Sequence, residues 1–308
     1  MPLLAAKPPT PNPDADENLV DVAARVRQIE LLTRRLVNDS LAGQYHAVFK
    51  GRGMSFDSVR EYQPGDDVRS IDWNVSARTG GVFVKQYVEE RELTVLVAVD
   101  LSASMLFGTK KRSKRELAAE IAAVLAFSAL RNNDRVGLVL FTDRIEHYVP
   151  PKKGRAHVLR VIRDLLEVHP KGRQTRLELA CDELTRIVRK RSVVFLLSDF
   201  QDATFDRSLG VLARRHDAVP LLIGDRAEEK FPNLGGSVLF EDAESGELLC
   251  FDAASNAALN QLWQRQAVAR RKLEQTLRKH GVEPIEAWVG EDYIPGLVTY
   301  FRRRAARQ

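Results

Sequence analysis

Cysteine is nearly missing from this chain, with Cys181 and Cys250 the two in 308 residues. One falls in a helical pattern and the other in a strand pattern, so neither a disulfide framework nor a thiolate metal site is expected, and reduced cytoplasm is the default compartment. Long apolar runs are missing too. No stretch nears the roughly 18 uninterrupted apolar residues of a membrane span, and the opening Met-Pro-Leu-Leu-Ala-Ala lacks the basic leader and the length of a secretory core. Histidine is sparse: His46, His147, His157, His169, His216 and His280 are scattered, and none pairs at ligand spacing with Asp100, Ser102, Ser104, Thr175 or Asp199. No Gly-x-Gly-x-x-Gly follows a strand pattern and no Gly-x-x-x-x-Gly-Lys-Ser/Thr occurs, which argues against a nucleotide site. Charge of one sign does not dominate, since 47 basic residues meet 42 acidic ones for a net +5. The terminal Arg302, Arg303, Arg304 and Arg307 read first as a helix end complementing its own dipole, and second as a contact for nucleic acid or anionic lipid.

What is present is enough apolar content, 44% of residues, for a substantial core. Residues 1–17 hold five prolines and read as a disordered tether. Residues 18–92 read as a helix followed by a β-rich module. Val22, Val26, Ile29, Leu32 and Leu36 draw the helix's docking stripe, and Val-Phe-Val-Lys-Gln-Tyr-Val closes the module with a strand. Residues 93–308 read as an α/β domain. Apolar runs at 94–99, 136–141, 193–197, 218–223 and 284–289 are predicted strands, with 145–149 an antiparallel edge. Helices are predicted at 156–166, 177–188 and 256–279, and after a Ser113/Glu116 capping box. A hairpin is predicted around Ser245-Gly246. The alternation implies a doubly wound, mostly parallel sheet covered on both faces.

Small oxygen-bearing residues cluster at the ends of these elements: Asp100, Ser102 and Ser104 in Asp-Leu-Ser-Ala-Ser, Thr175 before a helix, and Asp199 after a strand. Ligands of open parallel sheets bind beyond the carboxyl ends of the strands, where Asp100 and Asp199 fall. Two carboxylates about 5 Å apart repel by roughly 3 kcal/mol at an effective dielectric near 20. A hard divalent cation, Mg²⁺ first and Mn²⁺ or Ca²⁺ next, relieves that repulsion. The site is expected at the surface, so that Asp100→Ala leaves the fold largely intact. Each piece also has a structural reading: turn residues for the serines, a Thr175/Glu178 capping box, and backbone capping by Asp199.

The five residues resemble the metal-ion-dependent adhesion site of von Willebrand factor A domains, whose pattern is Asp-x-Ser-x-Ser with a distant Thr and a distant Asp. Upstream, Arg60-Glu61-Tyr62-Gln63-Pro64-Gly65-Asp66-Asp67-Val68-Arg69, Ile71-Asp72-Trp73 and Ala77-Arg78 resemble the bacterial and archaeal family known as domain of unknown function 58. Its members accompany MoxR-type AAA+ ATPases. The resemblance implies a noncatalytic, metal-dependent adaptor or scaffold. Such a protein grips a partner's acidic side chain through the bound ion and works with the ATPase in assembling or activating other complexes. It implies no small-molecule substrate.

Within the upstream segment, Arg60, Asp66, Asp67, Arg69, Asp72 and Arg78 read as an internal ion-pair lattice around Trp73 and Tyr62, or else as a partner surface or second active centre. Two rival functions follow. A metal-dependent nuclease or phosphatase would combine Asp100 and Asp199 with Asp66, Asp67 or Asp72, but the histidine supply is poor for it. A nucleic-acid binder would use Arg112, Lys114 and Arg115 as a basic rim beside the metal mouth.

Overall fold

Strands buried on both faces must be apolar throughout, and the runs in this chain form such strands. The computed structural model describes residues 26–28, 30–31, 55–88, 93–109, 112–202, 204–229, 231 and 235–306. The main sheet contains β3 (Thr94–Asp100), β4 (Arg135–Phe141), β5 (Ile145–Lys152), β6 (Val193–Ser198), β7 (Asp217–Gly224) and β10 (Ile285–Trp288), in the order β10-β7-β6-β3-β4-β5. All pairings are parallel except β4 with β5, which is the predicted antiparallel edge.

The chain winds outward in two directions from β3, and the right-handed crossovers usual for parallel strands then place helices on opposite faces of the sheet. One face is covered by α2 (Lys114–Arg131), α3 (Arg155–Glu167) and α8 (Ile294–Ala305). Leu117, Ile121, Ile162, Leu297 and Phe301 pack there on Val95, Val97 and Val99. The other face carries α4 (Leu177–Ile187) and α5 (Asp206–Arg215), whose Leu184, Leu209 and Leu212 pack on Leu96, Ala98 and Leu196. A short α6 (Arg226–Glu229) follows β7. The hairpin β8 (Ser237–Glu241) and β9 (Leu248–Asp252) comes next and leads to the long α7 (Asn256–Lys279). Ser113 and Glu116 form the predicted capping box. The winding reverses between β3 and β6, which makes the carboxyl ends of those two strands the switch point where such folds bind ligands.

The upstream module is an antiparallel pair, β1 (Ser55–Glu61) with β2 (Phe83–Val88), enclosing a 3-10 turn at Val68–Ser70 and α1 (Trp73–Thr79). Pro64-Gly65 occupies the centre of a tight turn closed by Asp66 N donating to Gln63 O at 3.0 Å, with Gly65 at φ +109°. Of the predicted docking helix, residues 26–28 and 30–31 are helical. Val26 packs against the core of the main domain, and Glu30 pairs with Arg155 at 2.6 Å. The proline-rich tether and the rest of that helix lie outside the described residues. Among the described residues, no helix is long and apolar enough to cross a membrane.

The ion-pair lattice is not what forms. Arg60 and Asp66 make one bidentate pair at 2.6 and 2.8 Å. Asp67 instead caps the 3-10 turn through Arg69 N, and Asp72 caps α1 through Asn74 N and Val75 N while Lys85 stands 3.9 Å away. An aspartate ahead of a helix start satisfies orphaned amides more economically than it pairs with a distant guanidinium. Arg69 and Arg78 are exposed, Trp73 is 67% exposed, and Val68 and Val82 of the same module are exposed as well. The module therefore presents an apolar and cationic surface where the sequence suggested an internal network.

Candidate metal centre

Asp100 is the last residue of β3 and is fully buried. Its Oδ1 accepts from Ser102 N at 2.8 Å, and its Oδ2 accepts from the Ser198 hydroxyl at 2.6 Å, which ties the ends of β3 and β6 together. The chain then turns through a 3-10 segment, Ala103–Leu106, anchored by buried Met105. The Ser102 and Ser104 hydroxyl oxygens face each other at 3.1 Å. Arg173 O accepts from Ala103 N at 2.8 Å, which lays the loop carrying Thr175 alongside the serine loop. Asp199 follows β6, where Phe200 adopts a left-handed φ of +55° and donates its N–H to the Ser198 hydroxyl at 3.1 Å. Asp100, Ser102, Ser104 and Asp199 thus stand at or just after the ends of β3 and β6, and the Ala103–Arg173 bond brings the loop that carries Thr175 beside the serine loop. Thr175 does not cap α4: its hydroxyl donates to Glu244 Oε1 at 2.6 Å, and Arg176 is the residue at the cap position.

Burial, and then the charge of Asp199, push the Asp100 carboxyl up to about 7, against the hydrogen bonds from Ser198 and Ser102. A cation between the two carboxylates removes both penalties. The donor set of two carboxylates and three hydroxyls is all hard oxygen, which suits Mg²⁺, Mn²⁺ or Ca²⁺ and no thiophilic metal. Among the described residues, no cluster of three or more His, Cys, Asp or Glu side chains is arranged to hold an ion. This set depends on hydroxyls in place of a third such ligand. Asp199 Oδ1 has one long contact, 3.4 Å from Gln201 N, and is the oxygen open to an ion.

Asp199 Oδ2 is already engaged by Lys114. That ammonium is fully buried, 2.8 Å from Asp199 Oδ2 and 2.6 Å from Glu228 Oε1. Burial alone would push it down, but the two carboxylates outweigh burial and hold it above its ordinary value. Lys114 is therefore no part of a basic rim. Arg112 pairs with Glu120, and Arg115 donates to Val168 O, so the predicted nucleic-acid rim is absorbed inside the fold. Of the terminal arginines, Arg303 pairs with Glu283, and Arg304 binds Asp217 and the Tyr300 hydroxyl. The surface placement expected for Asp100 is also wrong: it lies at a strand end covered by both serines' loop and β6.

The sequence reading missed Ser198, Glu228 and Glu244, and it put Lys114 on an outer rim where the structure makes it a buried counter-ion. Lys114 was detectable in principle, because it begins the stripe that continues through Leu117, Ala118, Ile121 and Leu125, all buried. Glu228 and Glu244 arrive through tertiary topology and carry no local signal.

Gly172 fixes the position of the Thr175 loop. Its N–H donates to Glu146 Oε1 at 2.7 Å, and a Cβ there would collide with the Asp143 carboxylate and the Thr142 hydroxyl. Gly172→Ala should cost about 1–3 kcal/mol by overpacking and weaken divalent-ion binding several-fold by shifting Thr175. Denaturant melts and a Mn²⁺ titration check both effects, and unchanged ion affinity would show that the loop does not position a ligand.

The sheet order puts the Asp-x-Ser-x-Ser loop at the switch point of a doubly wound, mostly parallel α/β domain. The chain belongs to the family described as "Protein of unknown function DUF58", whose profile matches residues 58–273. It is similar to the protein Rv1480 of Mycobacterium tuberculosis, with 33% identity over 292 residues covering 92% of this chain and 91% of the relative. It is also similar to YeaD of Bacillus subtilis, with 28% identity over 112 residues, 36% of this chain and 26% of the relative. Among solved structures, the conserved hypothetical protein BatB from Bacteroides thetaiotaomicron aligns at 17% identity and TM-score 0.45. That alignment covers 70% of this chain and all of the other. The SpRpn10 VWA domain aligns at 14% identity and TM-score 0.35, covering 68% and 95%.

Proposed function

We propose that the protein is a noncatalytic adaptor that binds a divalent cation, Mg²⁺ first, through Asp100, Ser102, Ser104, Thr175 and Asp199. Through that ion it captures an acidic side chain of a protein partner, and a MoxR-type AAA+ ATPase is the partner class its family suggests. The observation that carries this reading is the pairing of a buried Asp100 with Asp199 at the switch point, beside two hydroxyl oxygens 3.1 Å apart. Mg²⁺ asks for six oxygens and retains water readily, so a set rich in neutral hydroxyls leaves room for an incoming carboxylate. The hydrolase alternative loses support because Asp66, Asp67 and Asp72 are committed to a local ion pair and to helix caps. Three imidazoles are also committed elsewhere: His147 contacts Asp164, His157 contacts Val136 O, and His280 contacts Asp206.

The test is binding of a purified MoxR-type ATPase to the immobilised full chain, wild type beside Asp100→Asn, in Mg²⁺ and in chelator. Retention by wild type in Mg²⁺ alone is the expected result. Retention indifferent to both the ion and the substitution would defeat the metal-dependent reading and direct attention to the Trp73 surface.

A further inference from the structure

We propose that the amino-terminal end of the main sheet carries a second binding site, for a compact phosphate-type oxyanion, in the cavity beside Arg191 and His216. It lies at the opposite end of the strands from the switch point and does not depend on a cation there.

The cavity measures about 340 Å³. Its walls are Arg191 ahead of β6, His216 ahead of β7, His280 and Glu283 after α7, and Tyr300 and Arg304 on α8. His216 is 2% exposed, and neither of its ring nitrogens has a hydrogen-bond partner among the described residues. Folded proteins rarely leave a buried polar group so bare. Around this ring, two basic runs come together. Arg189, Lys190, Arg191, Arg214 and Arg215 are all exposed, and none of their side chains makes a hydrogen bond or ion pair among the described residues. Asp217 N donates to Ser192 O at 2.8 Å, which sets the two runs side by side at adjacent strand starts.

Basic residues at helix ends can serve only to complement the helix dipoles, and α4, α5, α7 and α8 all end on this side. Half a charge from each gives about −2 in all, which leaves most of the five cations unmatched. The carboxylates nearby are already taken. Asp217 binds Arg304, which also donates to the Tyr300 hydroxyl at 2.6 Å, and Glu283 pairs with Arg303 at 3.5 Å. His280 contacts Asp206 at 2.7 Å. Arg191 is therefore the uncommitted guanidinium on the wall, and its planar fork of N–H donors suits two oxygens of a phosphate group.

His216 is placed to sense such an anion. Burial first, and then the charges of Arg215 and Arg191, hold its imidazole below the ordinary value, so the ring is neutral while the cavity is empty. An anion beside these arginines cancels their repulsion and favours a proton on the ring. The unmatched cations gather around one cavity, where their field is focused, and this favours a compact anion over an extended polyanion.

The experiment is pyrophosphate binding to the full chain by calorimetry in metal-free buffer, wild type beside Arg191→Gln. Arg265→Gln, which removes an exposed charge from the middle of α7, controls for net charge. Arg191→Gln should lose about 10–100-fold in affinity, the scale of a charge-assisted hydrogen bond, and Arg265→Gln should bind as wild type does. In a companion NMR titration, the midpoint of the His216 ring should rise when pyrophosphate is saturating, with His216→Gln identifying its resonance. No binding by wild type, equal loss in both variants, or an unmoved His216 midpoint overturns the proposal. Binding of duplex DNA or anionic vesicles that pyrophosphate does not compete away also overturns it, in favour of a polyanion surface. Because no divalent ion is present, none of these outcomes bears on the metal reading of the switch point.

Discussion

Lys114→Met should lower the stability of the metal-free protein by about 3–5 kcal/mol, the usual cost of removing one partner from a buried ion pair. For a chain of this size that corresponds to a fall in Tm of about 5–8 °C in chelator. The cause is what stays behind. Asp199 is 8% exposed, and Glu228 is pushed up by burial even with Lys114 beside it, so both carboxylates lose their counter-charge in a low-dielectric site. Methionine keeps most of the stem volume in contact with its surroundings, which separates the charge effect from a cavity effect. The substitution also frees Asp199 Oδ2 and leaves the site more negative. Mg²⁺ should therefore stabilise Lys114→Met more than it stabilises wild type, by preferential binding to the folded state. Thermal melts of both proteins in chelator and in Mg²⁺ measure this. A loss below about 1 kcal/mol, the scale of an exposed pair, would mean that the buried bridge is not formed in solution.

How much of this could be read beforehand follows from where each signal resides. The main strands were legible because burial on both faces demands continuous apolar runs, and strand-helix alternation implies a mostly parallel sheet without fixing the order of its strands. The starts of α2 and α7 were legible because Ser113 and Ser255 cap them locally. α5 was not. Its sequence Asp-Arg-Ser-Leu-Gly-Val-Leu-Ala-Arg-Arg is short and contains Gly210, a poor helix residue that is needed because a Cβ there would run into the His280 imidazole.

The site shows the same division. Asp100, Ser102 and Ser104 lie within five residues and can be read as a unit, and strand ends locate Asp199. The counter-ion and Glu244 are set by which loops the fold happens to bring over the switch point. In the upstream module, the error came from treating neighbouring Arg and Asp as partners. Two of the aspartates are helix caps, a role already written in their position one residue before a turn. Once they are used locally, Arg69, Arg78 and Trp73 are left facing solvent, and the segment most specific to the family becomes an outward surface.

Asp100→Asn should remove metal-dependent stabilisation and, in chelator above neutral pH, leave the protein more stable than wild type. The Asp100 carboxyl titrates at about 7 in the folded chain, well above its ordinary value in an unfolded one. Below about pH 4 both states hold the proton. Between that point and about 7 the unfolded chain has released it while the folded chain keeps it, so folding loses stability steadily as pH rises. Above 7 the folded protein carries a buried carboxylate at a cost of about 4 kcal/mol relative to an unperturbed one. Asparagine has nearly the same shape and can still accept from Ser102 N, but it does not ionise, so its stability should be flat over this window. Alanine is the wrong probe, because it strands the buried Ser102 N–H and the Ser198 hydroxyl. Mg²⁺ should abolish the decline in wild type, since the ion replaces the proton, and should do nothing for Asp100→Asn. Denaturant melts from pH 5 to 8, with and without Mg²⁺, give four curves. Wild type in chelator should be the one that falls. A flat wild-type curve, or equal Mg²⁺ stabilisation of both proteins, would mean that Asp100 neither bears the strained charge nor meets the ion.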